Sequence, residues 1–95
     1  MNLREIINKL SPEQRAVRGE QAERELGGQV GQAFDTLKEE YFKAWSATKP
    51  ENTELREKLF QFVRVVDVVR SHLVHVVNDG KLAQDEITRS EKRSA

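Results

Sequence analysis

The strongest constraint on the fold is a run of apolar residues in the second half of the chain, spaced by alternating steps of four and three. The run contains Leu55, Leu59, Phe62, Val66, Val69, Leu73 and Val76. This spacing is the a/d repeat of an α-helix that packs along its length against another helix. The same spacing continues with Gly80, Ala83 and Ile87, and a second apolar stripe beside it contains Phe60, Val63, Val74 and Val77. A single helix cannot keep this surface in water, so we predict that it packs against its own chain, a second copy or a partner.

The composition favours a thin helical protein over a globular one. Of the 95 residues, 37% are apolar, which is below the usual share, and 34% are charged, whereas an average globular protein is about 25% charged. We therefore expect a narrow core and a large contribution to stability from association between chains. Sixteen basic and sixteen acidic residues give a net charge of zero, which does not point to DNA or a membrane as the main partner.

Several functional classes lack their usual sequence features here. The chain contains no cysteine, which excludes disulfides, thiolate catalysis and cysteine-based zinc sites. The longest nearly apolar run, from Leu59 to Val69, contains three polar residues and is too short to span a bilayer. The first ten residues do not have the pattern of a secretory signal. We therefore expect a soluble intracellular protein.

Start and stop signals divide the chain into four segments. Residues 1–26 are predicted to form an amphipathic helix, with Leu3, Ile6, Ile7 and Leu10 on one face, and then a polar helix. The polar helix starts at Ser11-Pro12-Glu13-Gln14, which has the form of a capping box. Residues 27–29 contain Gly27-Gly28, which we interpret as a helix break; close packing of backbone on backbone is the alternative.

Residues 30–80 are predicted to form a hairpin of two long helices. The first has one apolar face made of Val30, Ala33, Phe34, Leu37, Tyr41, Ala44 and Trp45. The link at residues 48–53 contains Pro50 and is so short that the two helices must be antiparallel. Gly80 is expected to end the second helix, and residues 81–95 are expected to be a frayed helix and a flexible tail. The predicted fold is thus all-α, a hairpin with one or two shorter N-terminal helices, assembling as an oligomeric bundle.

Polar residues within the apolar helix are the first candidates for a chemical site. His72 and His75 are three residues apart, but a helical zinc pair is usually four apart with a third ligand nearby, so we favour exposed or interfacial histidines. No Ser–His–Asp spacing, phosphate-binding glycine loop or HExxH motif is present. Asp67 with Arg64 or Arg70 is either a partly buried pair that fixes helix register or part of a solvated strip. We predict no catalysis, no cofactor and no bound metal.

Two further groups of side chains could bind a partner. Tyr41, Phe42 and Trp45 lie near the hairpin turn, and we favour a plug at the end of the core over a binding patch, because they share the helical period of the core residues. The candidate nucleic-acid contacts are Arg15, Arg18 and Arg24. Glutamates alternate with these arginines, so the helix lacks the predominantly basic face that is typical of a nucleic-acid-binding helix.

The predicted interface for association consists of Leu59, Phe62, Val66, Val69, Leu73 and Val76. A two-helix hairpin cannot cover both apolar stripes of its second helix, so we expect self-association through this surface.

A resemblance covers about two thirds of the chain. The residues that carry it are Gln21-Ala22-Glu23, Ala33-Phe34-Asp35-Thr36-Leu37, Tyr41, Ala44-Trp45, Arg56-Glu57-Lys58-Leu59, Val69-Arg70-Ser71-His72-Leu73 and Gly80-Lys81-Leu82-Ala83. This pattern resembles small helical proteins encoded in the head and DNA-packaging gene modules of tailed bacteriophages. The resemblance implies a role in virion assembly or genome packaging, in the cytoplasm of an infected bacterial cell or in the virion. It supplies no active-site residues.

Three functional hypotheses follow. The first is a non-enzymatic oligomeric adaptor or structural protein that binds itself and another protein through helix–helix contacts, in phage head assembly or genome packaging. The second is a nucleic-acid-binding regulator or packaging subunit that uses the N-terminal arginines and the basic tail. The third is a small helical inhibitor of a host protein, which depends on the same helix-in-groove contacts as the first.

Overall fold

A computed structural model describes Asn2, Glu5 and residues 9–94. The described part of the chain forms three α-helices, which are α1 (Pro12–Leu26), α2 (Gln29–Ala47) and α3 (Thr53–Ser94). The predicted all-helical class is therefore confirmed. The helix predicted over the first ten residues depends on Leu3, Ile6 and Ile7, which lie outside the described residues. The chain divides into two compact units, one of Met1–Arg24 with Leu73–Ala95 and the other of Glu25–His72.

Helix α1 begins at the predicted capping box. The backbone N–H of Gln14 donates to the Ser11 hydroxyl at 3.1 Å. In return, the backbone N–H of Ser11 donates to the side-chain oxygen of Gln14 at 2.9 Å. Pro12 occupies the first helical position, where its missing amide hydrogen costs nothing. Two donors at the helix start are thus paired within four residues, which fixes where α1 begins.

Helices α1 and α2 are separated at Gly27-Gly28, and Gly31 lies against the backbone at the end of α1. Helix α1 ends at Leu26, and the Gly28 amide donates to the Glu25 carbonyl at 3.2 Å. Neither Gly27 nor any other described glycine has a positive φ, so the break does not use a left-handed cap. A Cβ added at Gly31 would collide with the carbonyl oxygen of Leu26. The first turn of α2 therefore packs directly on the end of α1, which only glycine permits.

In the unit Glu25–His72, helix α2 and the first part of α3 form an antiparallel hairpin. Positions that rise along α2 contact positions that fall along α3, in the pairs Asp35–Arg70, Lys38–Asp67, Tyr41–Phe62 and Trp45–Arg56. The Asn52 side chain accepts a hydrogen bond from the Leu55 amide at 3.4 Å and caps α3, as the sequence indicates. The side of α3 that faces α2 buries Leu59 and Val66.

The prediction that Gly80 ends the long helix is wrong. Helix α3 continues for 42 residues to Ser94, and Gly80 has no positive φ. The segment expected to be a frayed helix and tail, residues 81–95, is thus helical as far as Ser94. Ala83 within it is completely buried, and Ile87 is half-buried. Packing of these residues continues the helix beyond the glycine, because tertiary contacts override a weak local propensity.

In the other unit, α1 crosses the C-terminal part of α3 at a pair of glycines. A Cβ added at Gly19 would lie 2.8 Å from the Gly80 Cα, and one added at Gly80 would lie 2.7 Å from the Gly19 Cα. Helix α1 presents a stripe of small buried residues there, namely Ala16, Gly19 and Ala22. The two backbones are in van der Waals contact, so both glycines serve close packing and not helix termination.

The buried apolar core is small. Among the described residues it contains Ala16, Ala22, Leu59, Val66, Val77 and Ala83. No large side chain in the described part of the chain is fully buried. Most of the large apolar residues of α2 and α3 therefore remain partly in contact with water.

Candidate functional site

The structure separates the predicted interface residues into three groups. Leu59 and Val66 are buried within the chain. Leu73 and Val76 are half-buried in the unit that contains α1. The remaining two, Phe62 and Val69, are 47% and 42% exposed. Part of the apolar stripe of α3 is thus buried within the chain, and the exposed part lies on one side of the hairpin.

That side is an apolar surface, which we call the front face. Residues seven apart on a helix differ by only about 20° in direction, so Leu55, Phe62 and Val69 form a nearly straight row along α3. Val65 lies beside this row, and all four side chains are exposed. Helix α2 supplies the other half of the front face, because its residues on the same side are Val30, Ala33, Leu37 and Ala44. The contact between the rings of Tyr41 and Phe62, with centroids 5.4 Å apart, joins the two halves.

The opposite side of the hairpin, the back face, holds the ion pairs between α2 and α3. Lys38 donates to Asp67 at 3.0 Å, and Arg70 pairs with Asp35 and also donates to the Gly31 carbonyl at 3.3 Å. Asp67 and Arg70 do not pair with each other, because each forms its ion pair with a residue of α2. Both side chains are substantially exposed, which agrees with a solvated strip and not with a buried pair. Such exposed pairs contribute little to stability.

The aromatic residues near the turn are divided between the core and the surface. Arg56 lies over the Trp45 ring with its guanidinium carbon 3.9 Å from the centroid, and it also donates to the Thr48 hydroxyl at 3.0 Å. Tyr41 and Trp45 are half-buried, in agreement with a plug at the end of the core. Phe42 is instead 62% exposed on the back face. There it lines a shallow cavity of about 330 Å³ together with Asp35, Lys38, Glu39 and Val63.

Arg15 is engaged in ion pairs within the chain. Its guanidinium donates two hydrogen bonds to the Asp79 carboxylate, at 2.8 and 2.9 Å, and a third to Glu86 at 3.3 Å. Hydrogen bonds from Arg15 lower the pKa of Asp79, although burial acts in the opposite direction; electrostatic interactions with Arg15 and with His75 lower it further. Asp79 correspondingly raises the pKa of Arg15, mainly through the same hydrogen bonds. This link joins α1 to α3 and was not found from the sequence, since its partners are 64 positions apart.

The three candidate nucleic-acid contacts do not share one surface. Arg15 is bound to Asp79, as described above, while Arg18 and Arg24 are exposed. Arg24 is nine residues beyond Arg15, so at about 100° per residue the two point in opposite directions from α1. The structure therefore does not bring these arginines together as one basic face.

Among the residues that the structure describes, the histidines and acidic residues show no metal-binding arrangement. His72 and His75 are both exposed. Within the described ranges, no group of three or more His, Asp and Glu side chains is placed to hold a metal ion. None of the described helices combines the length and apolarity needed to cross a membrane.

Comparisons with known proteins identify no relative, because no protein-family model, curated protein or solved structure matches this chain. The front face and the residues that surround it are therefore the features of this chain that bear on its function.

Proposed function

We propose that this chain is a non-enzymatic oligomeric adaptor that acts through helix–helix contacts. The observation that carries the proposal is the front face, on which Leu37, Leu55, Phe62 and Val69 are each 38–47% exposed although they occupy regular helical positions. Contiguous apolar surfaces of this kind on a folded chain mark binding to another protein. The small buried core supports the same conclusion, because a chain with so little buried apolar area gains stability from association.

The proposed setting is the assembly of a bacteriophage head or the packaging of its genome, in the cytoplasm of an infected cell or in the virion. The resemblance to proteins of phage head and packaging gene modules supports this setting. The proposed partners are a second copy of the chain and another protein of the assembly. An adaptor of this type would contribute surfaces and not reacting groups, so its contacts rather than any catalytic residue would determine its role.

The solution mass of the purified protein tests the proposed self-association. We expect light scattering to give an oligomer at the highest concentration and partial dissociation over a hundredfold dilution. A monomeric mass over the whole range would overturn self-association. For the phage setting, an immunoblot of purified virions and of infected-cell lysate should detect the chain in at least one of the two fractions, and its absence from both would overturn that part of the proposal.

A further inference from the structure

We propose that the occupant of the front face is the front face of a second copy of this chain, packed across a two-fold axis into a four-helix bundle. This inference rests on the proposed self-association and specifies the surface, the partner and the geometry. Three properties of the face carry it, namely its lack of central charge, its area and its shape.

The charge distribution allows the face to pack on itself. Its centre contains only apolar residues, namely the rows Val30, Leu37 and Ala44 of α2 and Leu55, Phe62 and Val69 of α3. Charged residues occur in its outer rows, because Glu40 follows Ala33 by seven residues on α2, and Lys58, which is 3.5 Å from Glu54, precedes Val65 by seven residues on α3. A two-fold contact places each surface against its own copy, so any central charge would meet a like charge or be buried without a partner. This face avoids that cost.

The area of the face is close to the minimum for a specific dimer interface. Helix α2 has 19 residues, which corresponds to about 28 Å at a rise of 1.5 Å per residue. Two helices packed about 8–10 Å apart present a width of about 18–20 Å. The face therefore measures roughly 500 Å² per copy, and two copies would bury about 1,000 Å², the lower bound for a specific protein–protein interface.

The shape of the face also suits a four-helix bundle. The register of the hairpin places the small Ala44 of α2 level with the space between the larger Leu55 and Phe62 of α3, and it places Ala33 near Val69. Small positions next to large ones let helices of two hairpins interdigitate, as in bundles with knobs-into-holes packing. In a two-fold pair of hairpins each helix meets an antiparallel neighbour, which also opposes the helix dipoles favourably.

Adjacent valines on α3 provide a matched test by light scattering. Val69→Asp places a carboxylate on the front face, whereas Val68→Asp places the same group on the side of α3 that points away from α2. The native side chains are similarly exposed, at 42% and 50%. We expect Val69→Asp to raise the dimer dissociation constant by about a hundredfold or more, since two carboxylates would be buried in one interface. Val68→Asp should leave it unchanged.

A second variant keeps the test valid if Val69→Asp fails to fold, which circular dichroism would show. Leu37→Asp changes the α2 half of the same face and should also dissociate the dimer. A wild-type mass of more than two copies, a Val68→Asp effect without an effect of the front-face variants, or no change in any variant would overturn this inference. In those cases self-association itself stands, whereas a monomeric wild type would reject both proposals.

Discussion

Single residues determine how closely the helices of this protein approach one another. Gly19 and Gly80 allow two backbones to touch, and Gly31 allows α2 to begin against the end of α1. Arg15 and Asp79 join α1 to α3 through two hydrogen bonds while each keeps only 17% of its side chain exposed. The effect of substituting one of these residues on stability therefore depends on its contacts with the neighbouring helix and not on its helix propensity.

The substitution Gly80→Ala distinguishes local propensity from packing. Helix propensity alone predicts that it stabilises the protein by about 1 kcal/mol. The structure predicts a loss of about 2 kcal/mol, because the new methyl group would lie 2.7 Å from a backbone atom of α1 that cannot move aside alone. Urea unfolding at a fixed protein concentration measures the difference. Asn78→Ala, at an exposed position of the same helix, is the control and should stabilise slightly; a stabilised Gly80→Ala variant would contradict the close contact.

The substitution Asp79→Asn should destabilise the protein by about 1–2 kcal/mol at neutral pH, because the carboxylate accepts two charge-assisted hydrogen bonds. Folding lowers the pKa of Asp79. Its stabilising effect is therefore present above the pKa of the unfolded chain, about 3.9, and disappears as the pH falls through the lower value of the folded state. The stability difference between wild type and variant should shrink in that acidic window. Glu54→Gln, in an exposed pair, should change stability by less than about 0.5 kcal/mol; an equal loss in both variants would argue against a special role for Asp79.

At the scale of secondary-structure elements, the long helix α3 has different neighbours along its length. Its first part packs on α2, and its last part packs on α1 and buries Ala83. Residues 81–87, which include buried Ala83 and half-buried Ile87, are consequently part of the packed structure.

Two truncations test this role of the C-terminal segment. A chain ending at Gly80 loses buried Ala83 and the partner Glu86, so we expect a lower midpoint of urea unfolding and faster proteolysis within α1. A chain ending at Ile87 loses only exposed residues among those that the structure describes and should behave as the full-length protein. Equal stability of the two truncated chains would mean that the segment 81–87 contributes nothing to packing.

At the scale of the whole molecule, folding and association are expected to be linked. The small core and the uncovered front face mean that the separate chain buries little apolar area for its length. The free energy of association then adds to the apparent stability.

This linkage predicts a melting temperature that depends on protein concentration. We expect the wild-type Tm to fall by several degrees over a hundredfold dilution, as measured by circular dichroism. The Val69→Asp variant should melt at a lower temperature that does not change with concentration, because its association is lost. A wild-type Tm that is constant over the same range would indicate that the chain is stable as a monomer.

The sequence by itself determined the all-helical class, the start of α1 at Ser11-Pro12, the break after Leu26 and the turn around Pro50. These features depend on helical periodicity and on capping groups within a few residues, which a sequence displays directly. Only the tertiary structure decided that Gly80 lies inside a helix, that Arg15 binds Asp79, and which members of the apolar stripe remain uncovered. Each of these depends on a neighbour tens of residues away: a glycine that lets two helices touch has the same local signature as one that ends a helix.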